Sequence, residues 1–158
     1  MNEEFQDVTQ AGYNQLEQEI EDLKASRPEK IRILAAARAL GDLSENAEYS
    51  AAKRDLRHLE SRLRFLTKQL QYSRVFTPRD NDTVEIGKIV KFEYLDDHDT
   101  DEYEIVGTPE VDIENGKISI ASPIGSALLN HRTGDVITVQ APNASYQIKI
   151  ISVSIKEN

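Results

Sequence analysis

The chain has 158 residues, with 19 Lys and Arg against 28 Asp and Glu for a formal charge of −9, and it contains no Cys and no Trp. Without Cys there is no disulfide framework, thiolate metal site or cysteine nucleophile, and no apolar run approaches the ~18 residues of a membrane span. The acidic start MNEEFQDVTQ lacks a signal-peptide pattern, so a cytoplasmic protein is expected, and a net acid argues against independent binding to duplex DNA.

The charge is unevenly placed. Residues 1–22 carry seven acids and no Lys or Arg, whereas residues 50–74 carry seven bases and two acids. Residues 1–78 are nearly neutral at −1, and residues 79–158 hold −8. Residues 9–73 contain two Gly and one Pro among strong helix formers. Tyr13, Leu16, Ile20 and Leu23 follow three- and four-residue steps, which resume at Ile31 and Leu34 after Arg27-Pro28. Pro28 removes a backbone donor, which predicts a kink or a break of register. From Tyr49 the pattern continues through Ala52, Leu56, Leu59, Leu63, Leu66 and Leu70, the 3.5-residue period of a coiled-coil seam. The short GDLSEN segment between the arms favours an antiparallel helical hairpin. Asp42 followed by Glu45 fits a helix start with a capping-box Glu. Arms of ~30 residues would form a rod about 45 Å long. Pairing of the acidic first arm with the basic second arm accounts for most of those charges.

The second half has a period of two. Strand signals fall at Val84–Ile86, Ile89–Tyr94, Tyr103–Val106, Lys117–Ile120, Asp135–Val139 and Tyr146–Ile155, with turn signals between them. Ser122-Pro123 before IGSALL predicts one short helix with a Ser cap and Pro at its first position. The fold class is therefore α+β. A coiled-coil hairpin over 1–77 and a linker over 78–82 precede a small antiparallel sheet domain with one short helix over 83–158.

Chemistry-bearing sets are few. His58, His98 and His131 lie far apart, and no phosphate-binding glycine loop or nucleophile elbow is present. The acids of LDDHDTDE at 95–102 lack the spacing of a calcium loop and read as a solvated hairpin tip. The exception is the segment between the arms, where Asp42 and Glu45 stand three residues apart. Two carboxylates are too few to cage a hard cation, but they can complete a Mg²⁺ shell supplied mainly by another molecule. The alternative is that both acids only favour a helix N-terminus.

ARALGDLSENAEYSAAK at 37–53 resembles the tip of the bacterial Gre transcript-cleavage factors, of the GreA type rather than the more basic GreB type. VTQAGYNQLEQEIEDLKASRPEKI at 8–31 is similar to their first arm, and VEIGKIVKFEYLDD, the stretch from YEIVGTPEV to TVQAP and the closing IKIISV resemble their C-terminal domain in order and spacing. The resemblance implies an FKBP-like second domain and a partner, bacterial RNA polymerase stalled after backtracking. On that resemblance the rod enters the polymerase secondary channel, and Asp42 and Glu45 help hold a second Mg²⁺ and orient the attacking water. The protein would then be a cofactor and not itself an enzyme, with Mg²⁺ shared only in the complex and none bound in isolation. Ser44, Asn46, Glu48 and Tyr49 would shape the tip. Arg38, Lys53, Arg54 and Arg57 would attract the 3′ end of the nascent RNA, and Ser122, Pro123, Ile124 and Gly125 would belong to the docking domain. A monomer with no membrane contact is expected. The alternative function is a channel-binding regulator that acts on polymerase without promoting cleavage. A coiled-coil module unrelated to polymerase is the third reading. With only four aromatics in the second half (Phe92, Tyr94, Tyr103 and Tyr146), prolyl isomerase activity is not expected.

Overall fold

The computed structural model describes residues 5–41 and 46–156. Two compact units result: Asn14–Tyr72, and a β-rich unit built from the described residues on either side of it.

The first unit is a helical hairpin. Its arms are α1 (Gln10–Arg38, whose first turn belongs to the β-rich unit) and α2 (Ala47–Gln71). Leu16 and Ile20 on α1 bury against Leu66 on α2, flanked by Leu23, Leu63 and Leu70. Each such Leu contributes about 1.5–3 kcal/mol by leaving water. Along α2 the buried Ala52, Leu59 and Leu66 alternate with the half-buried Leu56, Leu63 and Leu70, as the heptad spacing predicts. Pro28 lies inside α1, which runs through that residue as one helix and does not end there. One difference is Ile31, placed on the seam by its spacing yet 42% exposed.

The domain boundaries also differ from the sequence reading. Strand β1 (Gln6–Val8) pairs in parallel with β2 (Ser73–Val75), so the segments on both sides of the hairpin join the β-rich unit. Glu110 fastens the start of α1 there. Its carboxylate accepts from the Thr9 amide at 3.0 Å, the Gly107 amide at 3.2 Å and the Thr9 hydroxyl. The Thr9 hydroxyl oxygen in turn accepts from the Gly12 amide at 3.0 Å, capping the helix.

The main sheet has the order β5-β4-β3-β7-β6. Its strands are β3 (Lys88–Tyr94), β4 (Thr100–Val106), β5 (Lys117–Ser119), β6 (Val136–Ala141) and β7 (Ala144–Ile155). Helix α3 (Pro123–Leu128) lies between β5 and β6. Most neighbours are antiparallel as expected, but β4 and β5 run parallel. Two short 3₁₀ turns, Thr108–Glu110 and Ile113–Asn115, lie on the crossover between these two strands, which parallel pairing requires. Val84, Ile86, Val90, Phe92, Ile105, Leu128, Val139, Ile148 and Ile150 form the core. Val84–Ile86, read as a strand, is buried there without forming one. The acids at 96, 97 and 99 are exposed in the β3–β4 turn, in line with a solvated tip. The four aromatics gather on the core: Phe92 lies 5.3 Å from Tyr94 and 5.8 Å from Tyr103, and Tyr94 lies 5.7 Å from Tyr146 between ring centres.

Residues 78–82, read as a linker, are pinned to this unit by a buried ion cluster. Lys88 is fully buried and Glu85 is 4% exposed. The Lys88 ammonium lies 3.0 Å from the Glu85 carboxylate and donates to the Asn81 side-chain oxygen (2.8 Å), the Asn81 carbonyl (3.1 Å) and the Thr83 carbonyl (2.8 Å). Glu85 also accepts from the Arg79 backbone amide at 3.1 Å and its Nε at 2.8 Å.

Candidate functional site

The hairpin tip is built from two helix ends. Helix α1 closes at Arg38, and the chain leaves through Gly41 at φ +114°, a conformation glycine adopts without a Cβ penalty. Asp42, Ser44 and Glu45 lie outside the described residues. Helix α2 begins at Ala47 with Asn46 as its N-cap. The cap that the sequence reading gave to Asp42 and Glu45 therefore belongs to Asn46 at this helix. The signal was available, since Asn ranks with Asp and Ser at this position and directly precedes the helical AEYSAAK.

Asn46 makes two bonds of opposite sense. Its Oδ1 accepts from the Tyr49 amide at 3.0 Å, and its Nδ2 donates to the Ala37 carbonyl at 2.8 Å. The two partners, one donor and one acceptor, fix which way the amide faces. Ala37 and Ala52 are the buried residues of this end of the hairpin. Tyr49, half-buried, lies under two cations: the Arg38 guanidinium is 5.8 Å and the Lys53 ammonium 5.9 Å from its ring centre. Such contacts contribute about 0.5–1 kcal/mol at exposed sites and hold both charges at the tip. Glu48 is exposed in the first turn of α2, where the helix dipole favours an acid.

Charge pairing between the arms is partial. Arg62 reaches Glu19 at 3.0 Å and Arg27 reaches Glu60 at 3.3 Å, but both pairs are remote from the tip in sequence. Lys53, Arg54 and Arg57 are exposed and have no ion pair among the described residues. Complementarity of the arms explains the middle of the hairpin, and these bases stand outside it. No group of three or more His, Asp or Glu gathers as a metal site among the described residues.

Of the residues expected to dock, Ser122 caps α3. Its hydroxyl accepts from the Gly125 amide at 3.0 Å and donates to the Ser119 carbonyl at 2.7 Å. Pro123 is the first helical residue and is exposed, whereas Ile124 packs on the core. Gly125 is buried, and a Cβ there would overlap the Ser119 carbonyl oxygen. Gly125→Ala is therefore expected to cost about 1–3 kcal/mol by overpacking, read as a lower urea midpoint with an unchanged m-value. The pinning of 78–82 by Lys88 and Glu85 was missed, although an acid and a base three residues apart inside the otherwise apolar VEIGKIV signalled it.

Residues 7–75 match the family described as "Transcription elongation factor, N-terminal" and residues 79–155 that described as "Transcription elongation factor, GreA/GreB, C-term". The chain belongs to the GreA/GreB family of transcription elongation factors. It is 61% identical to transcription elongation factor GreA 1 of Lactiplantibacillus plantarum, over 97% of this chain and 98% of that protein. It is 42% identical to GreA of Streptococcus agalactiae over the same shares. GreA factor homolog 1 of Thermus thermophilus, a solved structure, is 26% identical with a TM-score of 0.45, covering 96% of this chain and 99% of that one.

Proposed function

We propose that this elongation factor stimulates the Mg²⁺-dependent cleavage of the nascent RNA 3′ end by a backtracked RNA polymerase, reaching the active site through the secondary channel. The observation that carries the reading is the capping of α2 by Asn46: the N-cap of that helix is a residue other than Asp42 or Glu45. Two oxygen-donor carboxylates three residues apart in sequence suit Mg²⁺, and the polymerase's own acids complete the set. The chemistry that Mg²⁺ would supply if held there is polarisation of the scissile phosphate and acidification of water. The chain supplies three things: the hairpin gives reach, Asp42 and Glu45 give ligand oxygens and an acceptor that orients the attacking water, and Arg38, Lys53, Arg54 and Arg57 draw in RNA phosphates. The β-rich unit, with Pro123 exposed at the start of α3, docks outside the channel. The protein is thus a cofactor of the polymerase's own nuclease, acting in the cytoplasm as a monomer.

The test is a backtracked elongation complex supplied with Mg²⁺ and the full chain. Accelerated release of short 3′ RNA fragments is expected, and slowed elongation without fragments would overturn the reading. Arg54→Ala/Arg57→Ala is expected to raise the concentration for half-maximal stimulation several-fold. It should also flatten the salt dependence by about 0.7 in log–log slope for each lost RNA phosphate contact. A titration at several salt concentrations checks this.

A further inference from the structure

Asn46 is the one described side chain that bonds the closing turn of α1 and the opening turn of α2 at once. The bond to Ala37 spans nine residues of sequence and ties the two ends of the segment that holds Asp42 and Glu45. Helix ends leave four carbonyls and four amides without intrahelical partners, and here one amide group serves one of each. The Ala37 carbonyl also accepts from the Leu40 amide at 3.2 Å, so it organises the exit of the chain from α1 as well. Among the described residues, apolar packing gives little support at this end: the buried ones are two alanines, while Ile33 and Leu40 are 44% and 66% exposed. A polar tie therefore carries a larger share of the closure than it would in the leucine-lined part of the hairpin.

We infer that Asn46 is a positioning residue: by bridging the Ala37 carbonyl and the Tyr49 amide it holds the two helix ends flanking residues 42–45 at a fixed separation, and so sets the geometry in which the acids meet Mg²⁺. This rests on the cleavage reading proposed above. The side-chain chemistry is specific. Asp offers acceptors only, so Asn46→Asp keeps the cap of α2 and loses the donation to Ala37. Asn46→Ser also keeps a capping oxygen, on a shorter side chain, and adds no charge. Asn46→Ala loses both bonds.

Two measurements separate the roles. Amide hydrogen exchange on the free protein reads the tie without polymerase. In Asn46→Asp and Asn46→Ser, protection of the Tyr49 amide should persist while that of the Leu40 amide falls at least tenfold; unchanged Leu40 protection in both overturns the inference. In the backtracked complex, both variants should need about tenfold more Mg²⁺ for half-maximal stimulation, with affinity for polymerase within twofold of the parent. Parent-like Mg²⁺ dependence in both, with a loss confined to Asn46→Ala, would mean that capping alone matters and would overturn it too. If the parent chain stimulates cleavage and all three variants match it, only the positioning role falls. If the parent does not stimulate, the cleavage reading falls, and the role of Asn46 in it falls as well.

Discussion

Asp42→Asn/Glu45→Gln is expected to lower stimulated RNA cleavage at least about a hundredfold while leaving binding to polymerase intact. A hundredfold corresponds to about 2.7 kcal/mol of transition-state stabilisation. Carboxamides keep the size of the side chains and remove the anionic oxygens that a hard cation prefers. Each single variant should retain part of the effect, because the remaining carboxylate still supplies one ligand. The measurement is single-turnover cleavage at saturating factor, where a change in binding cannot mimic a change in rate. A competition assay on the same variant reports affinity. Retained stimulation by the double variant would leave the basic residues and the hairpin alone as the active elements.

Lys88→Met is expected to destabilise the β-rich unit by about 3 kcal/mol, since removing one partner of a buried ion pair leaves a charge without compensation. Three acceptors lose their donor at once: the Asn81 side chain, its carbonyl and the Thr83 carbonyl. Arg79 still reaches Glu85, which keeps the loss from being larger. The effect depends on pH, and the sign follows from Glu85. Burial pushes its carboxyl up, but the hydrogen bonds from Lys88 and Arg79 together outweigh burial and hold it below the ordinary value of 4.5. A folded-state value below the unfolded one means stability that is present above about pH 4.5 and lost as pH falls through the folded value. Without Lys88 the burial penalty is less opposed, and protonation of Glu85 relieves it. The deficit of Lys88→Met should therefore be larger at pH 7 than at pH 4. Urea unfolding at the two values, followed by a probe in the sheet, measures it.

Much of this was legible in the residues. The leucine seam of the hairpin repeats at 3.5 residues, and burying one face is the only way to satisfy that period, so both arms and their pairing followed from spacing. Ser122-Pro123 specified the start of α3 because a capping hydroxyl and a fixed φ act locally. The failures are non-local. Three-residue strands such as β1 and β2 carry no periodic signal, and their pairing joins residues separated by more than sixty positions. Pro28 does not end its helix: loss of one hydrogen bond in a helix of 29 residues is outweighed by packing along the rest of its length. Val84–Ile86 has strand composition, but Glu85 is bound to Arg79 and Lys88, partners that a composition of this kind does not announce. At the tip, spacing offered Asp42 and Glu45 as a helix start, whereas the cap of α2 is Asn46; several capping residues stand in a row, and only tertiary structure decides among them.

The parallel pairing of β1 with β2 also bears on how the chain folds. Residues 6–8 and 73–75 must meet, and closing so long a loop in an unfolded chain carries an entropy cost that grows with its length. The hairpin removes most of that cost. Contacts between its arms join residues that lie ever closer in sequence toward the tip, the kind of local contact that forms quickly. Once Leu16 and Ile20 meet Leu66, the two short strands are delivered to one place with only a few residues left to close. The hairpin thus doubles as a splint, expected to draw the two ends of its own chain together before the sheet completes.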